Sequence, residues 1–394
     1  MCSYHSLVLS TLLLAITAFV PPSPADAASF TPLGDLADGS FFSGALGISS
    51  DGSIVVGFGT SALGQEAFRW TAGSGMAGLG ELFGGGFDGT ARNISADGTV
   101  IVGQEPSADA IGSPEGFQWT SPGPMVGLGD LGGGAYFSQG WDASADGSVI
   151  VGVSQSGPPR FEAFIWESGV MVGLGDLPGG NIPGFGDFFS RARSVSDNGL
   201  VVVGEAASVA STGSWEAFGW TLAGGMVGLG DLPGGAFSSF AEEVSGDGTV
   251  VVGHSTSTDG EEAFRWTTAG MVGIGDLPGG IFDSSALSVS EDGSVIVGHG
   301  TTDDGQEAFV WDATNNMRNI QDILVAAGLG AELTDWTLTT AQAVSADGLT
   351  IAGVGINPAG DTEAWVATIP EPSTSILAAL GLLSLGMTCR RRRR

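Results

Sequence analysis

Residues 29–36 read "SFTPLGDL", and the tetrapeptide Leu33-Gly34-Asp35-Leu36 returns at Leu128 to Leu131, Leu174 to Leu177 and Leu229 to Leu232. Each later copy follows a Met-containing segment that is missing at the start of the chain. The opening stretch is therefore the end of a repeat unit whose beginning must lie elsewhere.

The unit itself has a period near 50. Its aromatic element occurs seven times: "EAFRW" at Glu66 to Trp70, "EGFQW" at Glu115 to Trp119, "EAFIW" at Glu162 to Trp166, "EAFGW" at Glu216 to Trp220, "EAFRW" at Glu262 to Trp266, "EAFVW" at Glu307 to Trp311 and "EAWVA" at Glu363 to Ala367. Before each lies a hairpin signature such as "ALSVSEDGSVIVG", Ala286 to Gly298. An alternating run, a two-residue turn at Asp292-Gly293 and a β-branched run predict strand, type I′ turn and strand. The turn recurs at Asp51, Asp97, Asp146, Asp247 and Asp347, with Asn198 replacing Asp once, so these are read as turn residues rather than ligands. After the aromatic element comes a fourth strand, fullest in "GMVGLGDLPGG" from Gly225 to Gly235, which Pro-Gly-Gly ends.

One repeat is thus four short antiparallel strands, a to d. Such a sheet is not stable alone, and radial stacking buries both its faces. The predicted fold is all-β: a seven-bladed β-propeller of four-stranded antiparallel blades. The seventh repeat has a hairpin and an aromatic strand but no strand d. Residues 29–36, laid against Glu363 to Thr368, supply it, so the N-terminal strand completes the last blade and closes the ring.

These repeats resemble the HAF family of extracellular repeats, named for its His/x-Ala-Phe element. Ala67-Phe68, Ala163-Phe164, Ala217-Phe218, Ala263-Phe264 and Ala308-Phe309 carry the match, with Glu in place of His. The resemblance implies export and a propeller-like repeat, and no agreed activity.

Both ends read as targeting segments. An apolar run from Leu7 to Val20 and the A-x-A site Ala25-Asp26-Ala27 predict a secretory signal over residues 1–27, cleaved between Ala27 and Ala28. The propeller then occupies residues 28–369. Residues 370–394 hold Pro370-Glu371-Pro372, an apolar stretch from Ile376 to Met387 and the arginines Arg390, Arg391, Arg392, Arg393 and Arg394. As a helix, that tail covers roughly 25 Å of a hydrocarbon core about 30 Å thick. The arginines stay on the cytoplasmic side. The tail resembles the PEP-CTERM sorting signal, which implies partnership with the export machinery and with an exosortase-type sorting enzyme. It also implies transient anchoring in the inner membrane, and a final place on the outer surface or outside the cell.

Composition narrows the function classes. Both cysteines, Cys2 and Cys389, lie in the end segments, so the propeller has no thiol chemistry. Between Ala28 and Ile369 seven arginines face 41 acidic residues, a formal charge of −34, which repels nucleic acid and anionic lipid. A hydrophobic fraction of 42% with 21 Phe and 10 Trp supplies a core and argues against disorder.

No catalytic set and no cofactor-binding motif emerge. His254 and His299 hold equivalent positions in blades five and six and are read as polar loop residues. The Glu of each aromatic element and the acid of each strand d recur in blade after blade, which favours a structural hydrogen bond. Chain direction puts the uniform a–b and c–d turns on one face. The variable b–c loops (residues 103–114, 153–161, 205–214, 254–261 and 299–306) share the other. Asp259, Glu261, Asp303 and Asp304 are their densest carboxylates and the Ca²⁺ candidates, although no EF-hand or nonapeptide spacing accompanies them. The expectation is a monomeric, non-enzymatic protein that binds a polysaccharide or surface protein through the loop face. The alternative is a carbohydrate-active enzyme with two carboxylates about 5 to 10 Å apart in one central pocket.

Overall fold

A computed structural model describes residues 28–370, apart from 111, 159, 181–187 and 212. The predicted signal segment with Ala27, and the tail from Glu371 through Arg394, lie outside the described residues. Among those described, no helix is long and apolar enough to cross a membrane.

Seven four-stranded antiparallel sheets form the blades. They span residues 38–78, 90–127, 138–173, 190–230, 234–275, 284–319 and 337–368. The last is completed by Ser29–Gly34, which pairs with Thr362–Thr368 in a register from Ser29 opposite Thr368 to Gly34 opposite Ala364. Hydrogen bonds show that this segment is a true strand d. The Gly34 amide donates to Glu363 Oε1 at 3.0 Å, as the Gly230 amide donates to Glu216 Oε1 at 3.3 Å in blade four. Ser43 Oγ then donates to the Gly34 carbonyl at 2.6 Å and accepts from the Ala364 amide at 3.1 Å, locking blade one onto blade seven. Ser239 does the same between blades five and four. The repeated glutamate and serine are thus the clasps within and between blades.

The core lies between the sheets. Phe68, Phe117, Phe164, Phe218, Phe264 and Phe309 are fully buried, and Trp365 takes that place in blade seven. There the outer Trp is replaced by Ala367, and the segment after blade six fills the space. Asn319 caps the helix Ile320–Leu324, accepting from the Asp322 amide, and Gly328 at φ 101° ends the helical path. Ile320, Leu324, Leu333 and Trp336 pack into the blade-seven cluster, and Phe30 meets Trp336 edge-on at 5.2 Å.

The a–b turn differs from the type I′ prediction. Only the glycine has a positive φ, 71° at Gly52, and the aspartate before it does not. The turn is instead closed by Gly52 N to Ser49 O at 2.8 Å. Asp51 Oδ1 accepts from Ser49 Oγ, Ser53 N and Ser53 Oγ. A side chain that satisfies three donors removes the need for a left-handed aspartate. Neighbouring turns are stitched into a ring by backbone hydrogen bonds such as Ser50 N to Ala96 O and Ala346 N to Ser50 O.

Candidate functional site

In every blade the pairing of strands a and b skips the same equivalent position of strand a: Leu46, Arg92, Trp141, Arg193, Glu242, Leu287 and Gln342. A bulge re-aims its side chain. All seven line a cavity of roughly 200 Å³ in the central channel. The repeat that builds the scaffold thus also presents a ring of unlike side chains at its axis.

That ring is chemically lopsided. Blades seven and one contribute Gln342 and Leu46, and blade six Leu287, whereas blades two to five bring charge and an indole. The Arg92 guanidinium sits 4.5 Å from the centre of the Trp141 ring and that of Arg193 4.3 Å from it, each from a blade adjoining the tryptophan's. Arg191 lies at 5.6 Å. Two carboxylates answer these cations. Arg193 Nε is 3.0 Å from Glu205 Oε2 and its Nη1 3.5 Å from Glu242 Oε2, while Arg191 Nη1 is 3.1 Å from Glu205 Oε1. Burial pushes the Glu242 carboxyl up despite Arg193.

His254 and His299 lie within strands Val251–Ser257 and Val295–Thr302, not in loops as predicted, because the b strands run on beyond the Val-Gly pair. His254 Nδ1 is 3.0 Å from Ser285 Oγ of the next blade, and its ring stacks on Phe240 at 4.6 Å. Burial lowers the pKa of both histidines, so they are neutral near pH 7.

Toward the turn face the channel floor is acidic. Asp142 is held by Asn93 Nδ2 at 2.7 Å, Ser194 Oγ at 2.8 Å and the Val195 amide at 2.9 Å. Glu243 accepts from the Val289 amide at 2.6 Å. Burial raises Asp142 to about 6 and Glu243 to about 8. Glu105, fully buried in strand b of blade two against the Asp88 amide, is likewise raised to about 8.

A group whose pKa is higher folded than unfolded binds its proton more tightly in the native state, so its stabilisation is lost as pH rises through the folded value. The histidines act in the opposite sense below pH 6.5, which leaves pH 6.5 to 8 as the carboxylates' window. The melting temperature is expected to fall across that window, with up to about 1.4 kcal/mol at stake per pKa unit and group. Calorimetry on Glu105→Gln combined with Glu243→Gln should show a flatter profile. An equally steep one would assign the dependence elsewhere.

The Ca²⁺ candidates are placed on the loop face of blades five and six. Asp303 Oδ1 accepts from the Gly280 amide at 3.1 Å, the Asp304 amide donates to Thr302 Oγ1 at 3.1 Å, and Glu261 Oε1 is 3.9 Å from His254 Nε2. Among the described residues, no three acidic or histidine side chains are gathered as a metal site.

With the geometry in place, comparison with known proteins adds an address. A family model described as the PEP-CTERM protein-sorting motif matches residues 368–394. The chain ends in a PEP-CTERM sorting motif. The motif implies export, processing by an exosortase and sorting to the cell surface. No curated protein matches the chain in sequence. Similar solved structures include TolB from Acinetobacter baumannii, at 12% identity over 81% of each chain with a TM-score of 0.45. Kuenenia stuttgartiensis hydrazine synthase shares 11% identity over 89% of this chain and 98% of that one, TM-score 0.43. A chain of a mitotic checkpoint complex shares 12% over 91% and 98%, TM-score 0.46.

Proposed function

We propose that the protein is a non-enzymatic, monomeric propeller, displayed at the cell surface or released into the surrounding matrix, whose loop face binds a polymer or a surface protein. The observation that carries this reading is the set of large apolar side chains left in solvent on that face. Leu63 and Val209 stand on b–c loops, and Phe83 and Ile281 on d–a linkers, at exposures from 67% to 94%. Leu200 and Leu222 are as exposed on the turn face, but only the loop face joins such apolar groups to loops that differ from blade to blade, and exposed apolar groups are what a partner surface would use. In this reading the repeats are of the HAF type. The tail holds the chain in the inner membrane until it is processed, and any Ca²⁺ binds at Asp259, Glu261, Asp303 and Asp304.

The test is a glycan array and a pull-down with purified full-length protein, comparing wild type with Phe83→Asp combined with Ile281→Asp. The double variant should lose binding at least about ten-fold, with an unchanged melt because neither side chain is buried. Robust polysaccharide hydrolysis with no retained ligand would overturn the proposal. It would favour the second reading, a glycoside-cleaving enzyme, which is supported by Glu205 and Glu242 sharing Arg193 beside an indole. Glu242→Gln should then abolish turnover.

A further inference from the structure

Arg92 is out of balance with its surroundings. Of the three arginines gathered on Trp141, Arg191 and Arg193 have carboxylate partners in Glu205 and Glu242, and among the described residues Arg92 has none. Its closest polar contact is Gln104 Oε1, 3.5 Å from Nη2. Burial and the two neighbouring arginines pull its pKa down to about 10. Three buried donors beside it, Arg92 Nε, Trp141 Nε1 and Arg191 Nε, have no hydrogen-bond acceptor. Unsatisfied buried donors are uncommon in native proteins, and an uncompensated buried charge is costlier still. Water could satisfy the N–H groups, but it would leave three guanidinium charges against two carboxylates.

We propose that the channel is a binding site for a carboxylate group, received by Arg92 with Trp141 Nε1 and Arg191 Nε as flanking donors. A guanidinium presents parallel N–H groups that match the two oxygens of a carboxylate, and one such anion gives Arg92 the partner it lacks. The cavity of roughly 200 Å³ touches Arg92, Trp141 and Arg193 but not Arg191, and Asp142, Asp197, Glu242, Glu243 and Glu291 also line it, so a group of sugar-acid size is confined to its arginine end. The part-exposed Arg191, on the loop side of the ring, offers the way in. The indole already carries guanidinium groups from the two adjoining blades, so it serves as a donor and a wall rather than as a stacking platform. The carboxylate belongs to a sugar acid, either free or as a residue of an acidic polysaccharide. This site lies inside the ring and does not depend on the loop-face reading.

Thermal shift and titration calorimetry on the purified full-length protein test the proposal, with glucuronate, oligogalacturonate and sodium chloride compared at equal ionic strength. A saturable stabilisation by glucuronate beyond that of chloride supports it and assigns a free acid. The same response to oligogalacturonate alone supports it and assigns a polymer. Arg92→Gln is expected to raise the melting temperature of the unliganded protein, because a charge without a partner is removed, and to abolish the carboxylate response. Arg92→Lys keeps the charge without the fork and should bind about ten-fold more weakly. Two results would overturn the inference: no carboxylate response in the wild type, or an Arg92→Gln variant that melts lower and responds like the wild type. The Phe83→Asp and Ile281→Asp pair should leave the glucuronate response intact, so failure here and failure of the loop-face reading are distinguishable.

Discussion

Deleting residues 29–36 is expected to lower the melting temperature sharply and to yield oligomers in light scattering. The deletion removes a whole strand of blade seven, along with Leu33, which is buried among Ala45, Ala364 and Val366 at the junction with blade one. It strips the clasp of Ser43 and Glu363 and exposes the edge of Thr362–Thr368. An open, unpaired edge is a template for another chain. Leu33→Ala alone, which leaves the strand in place, should cost about 2 to 5 kcal/mol. An unchanged melt after the deletion would mean that the ring does not rely on this strand.

Gly253→Ala is expected to be among the most damaging single substitutions. In strand b of blade five, a Cβ at Gly253 would overlap the Phe240 carbonyl oxygen and press on the Ala241 Cα at 3.1 Å. Both obstacles are backbone of the paired inner strand, which cannot swing aside as a side chain would. Gly57, Gly204, Gly298 and Gly353 meet the same obstacle in their blades, so the recurrent Val-Gly pair reflects a close approach of two backbones. A loss of about 3 kcal/mol or more is expected in denaturant unfolding. Gly73, in a turn with nothing within 4 Å of an added Cβ, is the control, and Gly73→Ala should stay within about 0.5 kcal/mol. Equal losses at the two positions would refute the backbone explanation.

The scaffold was legible because its signals repeat. A glutamate before each aromatic pair and a Leu-Gly-x-Leu segment after it identify strands c and d, and the missing seventh strand d points back to Ser29–Gly34. The turn type is ambiguous in the sequence because Asp-Gly suits two geometries. What separates them is the serine two residues before Asp51 and the one two residues after it, whose hydroxyls bind the carboxylate. The channel ring is hidden in the sequence for the opposite reason. Arg92, Trp141, Arg193 and Glu242 hold one repeat position but share no chemistry, so a search for recurrence passes over them. A signal is nonetheless present: of the seven arginines between Ala28 and Ile369, Arg92 and Arg193 hold the strand-a position where other copies carry Leu, Trp, Glu or Gln, and Arg191 lies two residues before Arg193. In a ring built from near-equal parts, the informative position is the one that refuses to repeat.

The pairing of Ser29 with Thr368 also sets an order of events. It joins residues separated by almost the entire described chain, a contact whose formation must wait for everything between. A ribosome delivers the first of these strands early and the second last. The sorting motif begins at residue 368, where the closing strand ends. The closing strand and the address label therefore arrive together, and a chain cut short before residue 362 lacks both.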